Sequence, residues 1–585
     1  MKTSGKLSAL QSETAIRILQ LAAGVVAITL IFWKLQFSTS SICCGDFDGY
    51  YHIKWSRELW QTLKSGKFVP LFPWLPLTTL NPKDYVDHHL LFHIIQIPFA
   101  QFRDPRLGAK VASLIFGSFA VVSCYWFLIK HRIRYVLVWL VALLACSAPF
   151  LFRLNMAKAP PLAIIFLVIA IHLLFTKKYW PLLPLAFIFT LTYDMFVLLL
   201  LAAVLWVAVI GWTERRFEWR PLVWVGAGTI AGLVINPYFP HNLQLLYEHV
   251  KIKITASDYD TKVGSEWYPY DSWEFIGNSL VACVSMVVGY IAFEVGERRR
   301  AHYPLFFLLF STALMIMNAR WRRIAEYWPP FAVMFAAFSL QPWIEGTRSL
   351  LTRLPSDVLA ELEPFLDRDG RIGRPPRPEH DGLVKTIIAC AIACALTVVL
   401  VFNITATIKE IGASEPHNFY QAGASWLRAN VPPQEIVFNT DWDDFPRLFY
   451  FDETHYYVSG LDPSYLYDRD PVLSRLYDRI TLGKEDDPGP LIRDRFGARY
   501  VFTDNNHHDF FAAARQSGWF EIVYEDEHCT IMHILDEKPA LPTENTTPPV
   551  EGMAIPTPTP PADEVATPIP TPPVEGVATP SPTPQ

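Results

Sequence analysis

Two aspartates and a histidine crowd into one short stretch, CCGDFDGYYHIKWSREL, from Cys43 to Leu59. Asp46 and Asp48 are separated by a single residue, and Tyr50, Tyr51 and His52 follow at once. On a helix His52 would share a face with Asp48, four residues earlier. Such groups take up or relay protons. A second stretch, DHHLLFHIIQIPFAQF (Asp87 to Phe102), brings Asp87, His88, His89 and His93. His89 and His93 have the i,i+4 spacing that suits a metal. Interfacial packing and hydrogen bonding are the plainer reading of these histidines, and Asp87 is the functional candidate of the run.

The elements that must hold these residues are membrane helices. The chain has 585 residues, 51% hydrophobic and 14% aromatic, too apolar for a soluble protein of this charge content. The net charge of −6 implies no nucleic-acid partner. A span needs about 20 apolar residues. Stretches near 15–35, 107–129, 135–152, 160–176, 180–194, 195–212, 220–236, 278–296, 303–318, 327–344 and 384–403 qualify, about eleven in all. The pair around Asp194 is the weakest. Tyr193-Asp194 reads as a polar turn at a helix end. The first run, Ile16 to Trp33, lacks a cleavage site and reads as a retained signal anchor. Lys130–Arg134, Lys177-Lys178, Arg215-Arg216, Arg298–Arg300 and the Arg-rich loop 345–383 all fall on one side, the cytoplasmic one. The loops 36–106 and 237–277 are then external. Loop 36–106 carries two helices, from Asp48 and from Asp87, expected to lie in the interface plane. The scattered cysteines suggest no disulfide framework, because the adjacent Cys43 and Cys44 would need a rare vicinal bond.

From about 405 charge rises and long apolar runs stop. Strands are expected at 435–440, 455–461, 498–504, 520–524 and 529–535, and helices at 417–430, 470–480 and 507–518. This is an external α/β domain, 405–538, with a mainly parallel sheet. In NTDWDDFPRL, Asp441, Asp443 and Asp444 could reach a site, but capping the next helix is favoured. Residues 539–585 form a disordered Pro/Thr-rich tail.

One helix, an external loop opening GDFDGYYHIKW, many spans and a soluble C-terminal domain resemble the C-type (GT-C) integral-membrane glycosyltransferases. The resemblance is strongest to the oligosaccharyltransferase catalytic subunit and the protein mannosyltransferase group. It covers about residues 10–540 and makes residues 1–404 a GT-C-like transmembrane domain. The family's D-x-Y/F pattern falls on Asp48, Gly49 and Tyr50. It implies that Asp48 is catalytic, as a metal ligand or as the base, with Asp46, Tyr50, Tyr51, His52, Asp87 and His88 around the substrate. The family's second acidic motif is missing. RLNMAKAPPL (Arg153 to Leu162) has no carboxylate and places Lys158 there. Either a divalent cation, Mg or Mn, has other ligands, or the enzyme is metal-independent and Asp48 works alone. The family's mobile loop bearing a Glu maps to KVGSEWYPYDSWEF, with Glu266 catalytic and Trp267 and Tyr268 against a sugar. NARWRRIAEYWPP puts Arg320, Arg322 and Arg323 at an external helix mouth, which the positive-inside rule disfavours. Arginine matches phosphate oxygens, so the three are candidates for a donor phosphate.

The resemblance implies sugar or oligosaccharide transfer from a polyprenyl-phosphate or -pyrophosphate donor to an external protein or envelope-glycan acceptor. A bacterial cytoplasmic membrane is the default location. The alternative is a non-catalytic GT-C-like protein that binds or translocates glycolipid.

Overall fold

The computed structural model describes residues 2–43, 47–67, 69–255, 264–293, 302–345 and 378–538. Asp46, most of the Arg-rich loop and the Pro/Thr tail lie outside them. The membrane part comprises α1 (Lys2–Gln36), α2 (Asp48–Lys64), α3 (Leu90–Ala100), α4 (Pro105–Lys130), α5 (Val136–Ala145), α6 (Ala148–Leu154), α7 (Pro160–Phe175) and α8 (Leu182–Thr192). There follow α9 (Val197–Glu214), α10 (Arg220–Val234), α11 (His241–Thr255), α12 (Ser272–Asn278), α13 (Leu280–Ala292), α14 (His302–Arg320), α15 (Trp328–Ile344) and a long helix, Pro378–Gly412.

Among the described residues each of the eleven expected spans falls on helix, but they are not equivalent. Among those residues five helices are long and apolar enough to cross a bilayer: Thr14–Gln36, Pro105–Lys130, Asp194–Glu214, His302–Arg320 and Lys385–Gly412. The bent pairs α5/α6 (82°) and α12/α13 (88°) raise the number to seven if each is one span. The other four positions hold α7, α8, α10 and α15, of 16, 11, 15 and 17 residues. At about 1.5 Å per residue α8 reaches only about half of a ~30 Å hydrocarbon core. α10 packs so closely on α8 that a Cβ on Gly228 would lie 2.2 Å from the Leu183 carbonyl oxygen. The polar turn at Asp194 is present, with Tyr193 extended between α8 and the next turn.

The basic turns gather at one end of the helices. His131 contacts His172 (3.2 Å), the Arg134 N–H donates to Gln341 (3.0 Å), and Tyr303 donates to the Phe175 carbonyl (3.2 Å). Asp48 is at the opposite end, and its helix is pinned from several sides. The Lys110 ammonium, on α4, donates to the carbonyls of Thr39 (3.0 Å) and Ser41 (2.7 Å) before α2 begins. Gln36 donates to the Asn155 carbonyl beyond α6 (2.5 Å).

Neither helix of the first external loop is a simple surface helix. In α2, Tyr50, Tyr51, His52, Ile53, Trp55 and Leu59 are buried. Tyr51, Trp55, Leu59, Phe72 and Tyr85 share one apolar core with Phe445, Phe449, Tyr457 and Phe502 of the C-terminal domain. Burying such aromatics stabilises by roughly 1.5–3 kcal/mol each. The in-plane expectation missed this because the covering surface is some 400 residues distant in sequence. Cys43 is disulfide-bonded, contrary to the expectation of no disulfides.

The C-terminal domain has five strands: β1 (Ile436–Asn439), β2 (Tyr456–Tyr457), β3 (Ala498–Asp504), β4 (Phe520–Glu525) and β5 (Cys529–Ile534). Their order is β2-β1-β3-β5-β4. β1 is parallel to β2 and β3, whereas β5 is antiparallel to β3 and β4. The sheet is therefore mixed rather than mainly parallel, because the short connection after β4 makes a hairpin. The helix His508–Ser517 ends at Gly518, where φ is +70°, a left-handed conformation that costs glycine little.

Asp444 does not cap the helix Phe445–Phe451 with its side chain. Buried, it accepts from the Tyr420 hydroxyl (2.6 Å). Burial and the neighbouring Asp441 charge push the Asp443 carboxyl up to about 8. Between its unfolded value and 8 the folded chain then binds more protons than the unfolded one, so this group costs stability as pH rises through that window. Asp443→Asn is expected to stabilise the full chain at pH 8, with the gain shrinking toward pH 4. Thermal unfolding across that range reads it out.

Candidate active site

A cleft of about 820 Å³, measured out to its mouth, opens where α2, the turn before α3, the 264–267 turn and the C-terminal domain meet. Asp48, Tyr51, His52, His88, Glu266, Trp267 and Arg323 of the expected residues all line it. Four elements distant in sequence deliver them: α2, the turn before α3, the 264–267 turn and the turn after α14.

Asp48 is the first residue of α2. Its Oδ2 lies 2.8 Å from the Lys158 Nζ. Gly49 permits this approach, since a Cβ there would stand 2.9 Å from the Cβ of Ala157. The residue that replaces the family's second acidic motif thus meets the catalytic candidate directly.

Glu266 is clamped on both oxygens. Oε2 accepts from Arg153 Nη2 (2.8 Å) and Oε1 from Arg323 Nη1 (2.5 Å). Arg153 also donates through Nε to Glu326 (2.6 Å), whose side chain is fully buried. Burial alone would raise the Glu266 carboxyl, but Arg323 and Arg153 more than reverse this and hold it well below the usual carboxylate range. Glu266 is an ionised clamp rather than a proton acceptor. Arg323 donates to the Tyr193 hydroxyl (2.7 Å), and its guanidinium lies 5.0 Å from the Trp267 ring centroid.

The other two arginines do not join it. Arg322 donates to the Pro269 carbonyl (3.2 Å) and stacks 5.0 Å over Tyr270, away from the cleft. Arg320 is exposed at the end of α14. Neither lines the cleft. Tyr268 is exposed and also outside the lining. Tyr50 is buried against His417 and accepts from the Ile42 N–H (3.3 Å), a packing role.

Asp87 lies behind the cleft and is 2% exposed. It accepts from the Trp55 indole (3.0 Å), the His89 backbone N–H (3.0 Å) and His93 Nδ1 (2.8 Å). Burial opposes its ionisation, yet the His93 charge and these donors hold its carboxyl below the usual value. His93 Nε2 lies 2.8 Å from His52 Nδ1, so a chain of close contacts joins Asp87, His93 and His52. Burial and the His93 charge hold the His52 imidazole well below its usual value, which favours the neutral ring.

Sequence reasoning overlooked four lining or supporting groups. Asp194, read as a polar turn, lines the cleft with His249 3.1 Å away. Tyr465 donates its side of the wall from the C-terminal domain and meets His249 at 3.2 Å. Arg153 ties Glu266 down. Only Lys158 carried a signal, by standing where a carboxylate was expected.

Of the two alternatives that the resemblance left open, a divalent cation at Asp48 or a metal-independent site, the residues around Asp48 do not fit the first. Asp48 carries an ammonium, and the Glu266 and Glu326 carboxylates carry guanidiniums. A nearby group of different make-up, His88, His89 and Asp194, presents ligand atoms within 4.8 Å of one another. Two imidazoles and one carboxylate suit Mn or Zn better than Mg, and the group excludes Asp48.

No protein-family model matches the chain, and no curated protein does. Solved structures do. The apo oligosaccharyltransferase of Archaeoglobus fulgidus superposes with a TM-score of 0.56 over 85% of this chain and 71% of that one, at 11% identity. The same enzyme tethered by a disulfide to an acceptor peptide with an NVT sequon gives 0.53 over 87% and 74%, at 12% identity. ArnT from Cupriavidus metallidurans bound to undecaprenyl phosphate gives 0.49 over 87% and 97%, at 13% identity. The fold resembles that of the oligosaccharyltransferase structures, and among the described residues it has five to seven spans long and apolar enough to cross a membrane.

Proposed function

We propose that the chain is a membrane glycosyltransferase that moves a sugar or oligosaccharide from a polyprenyl-phosphate or -pyrophosphate donor to an external protein or envelope-glycan acceptor. The observation that carries the reading is the pairing within one cleft of a carboxylate, Asp48, with two cations of different geometry, Lys158 and Arg323. Transfer needs those parts. The acceptor O–H or N–H gives its proton to Asp48 as its heavy atom bonds to the anomeric carbon. The bond from that carbon to the phosphate oxygen breaks, and its electron pair stays on the phosphate. Fixed positive charge stabilises that anion. Trp267, with Arg323 over its ring, and Tyr193 offer faces for a sugar. Glu266 holds Arg323 in place. Arg323 is the donor-phosphate residue of the arginine trio.

The similarity to an enzyme crystallised with an acceptor peptide supports a peptide acceptor, and we place the chain in a bacterial cytoplasmic membrane with the cleft outside. The test is transfer by membranes of cells that lack the protein, complemented with wild type or Arg323→Gln at equal expression, supplied with a radiolabelled polyprenyl-phosphate sugar. Wild type is expected to consume the donor and label a product, and Arg323→Gln to lose about 10²-fold or more. Donor that is bound but never consumed would instead make the chain a glycolipid-binding or -translocating protein.

A further inference from the structure

Resting on the transfer reading above, we infer that the Lys158 ammonium takes the place of a divalent cation at Asp48, so that the reacting carboxylate and the departing phosphate share a built-in charge rather than a metal.

Three observations carry this. The first is contact: Lys158 Nζ is 2.8 Å from Asp48 Oδ2, and the side chains are only 11% and 28% exposed. A hard dication needs several oxygen ligands. A second carboxylate is missing from the whole segment between α6 and α7, where NMAKA offers an ammonium instead. The second is rigidity. The Lys158 N–H donates to the Met156 carbonyl (2.9 Å), Asn155 donates to the Leu151 carbonyl (2.7 Å), and Ala157 is packed on Gly49. The backbone that presents the ammonium is therefore held against the start of α2, which a freely moving surface lysine would not need. The third is the commitment of the other carboxylates: Glu266 and Glu326 are each held by Arg153, and Glu266 by Arg323 as well. They are not available to complete an oxygen cage around Asp48.

An ammonium suits the task. It is a compact charge whose N–H groups point in several directions, so it can donate to Asp48 and to an incoming phosphate oxygen. As the bond between the anomeric carbon and phosphate oxygen breaks, the electron pair goes to that oxygen and the acceptor proton goes to Asp48. Lys158 gains a second anion as it loses the first, and it remains an ammonium throughout.

The first arm of the test is metal binding, which needs no activity. Full-length chain in detergent is titrated with Mn²⁺ and followed by electron paramagnetic resonance. Asp48→Asn is expected to leave the wild-type stoichiometry unchanged. Lys158→Asp is expected to create one additional site, which Asp48→Asn in the same chain abolishes. Any Mn²⁺ held at His88, His89 and Asp194 is common to all four proteins and cancels. Loss of one bound Mn²⁺ from wild type on Asp48→Asn overturns the inference, and that comparison stands even if Lys158→Asp fails to fold.

The second arm is transfer. Lys158→Gln is expected to reduce it at least 100-fold at saturating donor, with Mg²⁺ or Mn²⁺ giving no rescue. Full activity of Lys158→Gln, or its restoration by either ion, overturns the role. If wild type transfers nothing from any polyprenyl-phosphate sugar, the transfer reading fails on its own, and the Mn²⁺ comparison still decides which cation sits at Asp48.

Discussion

Asp48→Asn is expected to lower sugar transfer by about 10²- to 10⁴-fold, the usual contribution of a positioned proton acceptor. The amide is isosteric with the carboxylate and still offers Lys158 an oxygen, but it cannot take a proton. The pair is partly exposed, so its loss should cost less than about 1 kcal/mol of stability. The variant should therefore express, unfold and bind donor nearly as wild type does. Complemented membranes at equal expression separate the effects: donor binding is kept while turnover falls. An unchanged turnover would remove Asp48 as the base. The next acceptor in line would then be His52, one turn along the same helix. Burial favours its neutral ring, and a chain of close contacts runs from it through His93 to Asp87.

How much of this was legible beforehand differs by residue, and the reasons are physical. Asp48 stood out as charge where an apolar span ends, His52 by its helical spacing from Asp48, Arg323 as an arginine on the side that topology disfavours, and Glu266 only through the resemblance, which implies a Glu-bearing external loop. Their convergence on one cleft is a tertiary fact. The arginine trio shows the limit most clearly. Spacing alone treats Arg320, Arg322 and Arg323 alike, yet the turn after α14 sends one to Glu266 and another to Tyr270. Asp87 was chosen for the right neighbourhood, but burial puts it behind the cleft, acting through His93. The strands of the C-terminal domain were legible because their alternation and turn residues are local, and β3 begins and ends where expected. The pairing of β5 between β3 and β4 was not, because register depends on partners. Eleven helical stretches could be read from hydropathy. Which of them cross a bilayer depends on where the backbone bends, at Ser147 and Ser279, and apolar composition does not record a bend.

Arg153→Met carries the largest expected cost in stability, about 3–5 kcal/mol, the range for breaking a buried ion pair from one side. Arg153 is 11% exposed and touches two carboxylates, and the Glu326 side chain is completely buried. Methionine matches the stem of arginine and fills its space, so the loss is electrostatic rather than a cavity. Glu326 would be left as a charge without its partner in the interior, whereas Glu266 would keep Arg323. A second substitution should rescue the first. Glu326→Gln in the Arg153→Met chain removes the stranded charge and should recover most of the loss, because replacing both halves of a buried pair is often nearly neutral. A double-mutant cycle on thermal unfolding in detergent measures the coupling. If the single variant unfolds as wild type does, the pair lies in water rather than in protein. If the double variant is no better than the single, Arg153 stabilises by packing and not by charge. The rescued protein also asks a functional question. Its Glu266 has lost one of two clamps, so the 264–267 turn and Arg323 should hold the donor less firmly. Weaker donor binding in a chain of restored stability would show that the buried ion network orders the cleft as well as the fold.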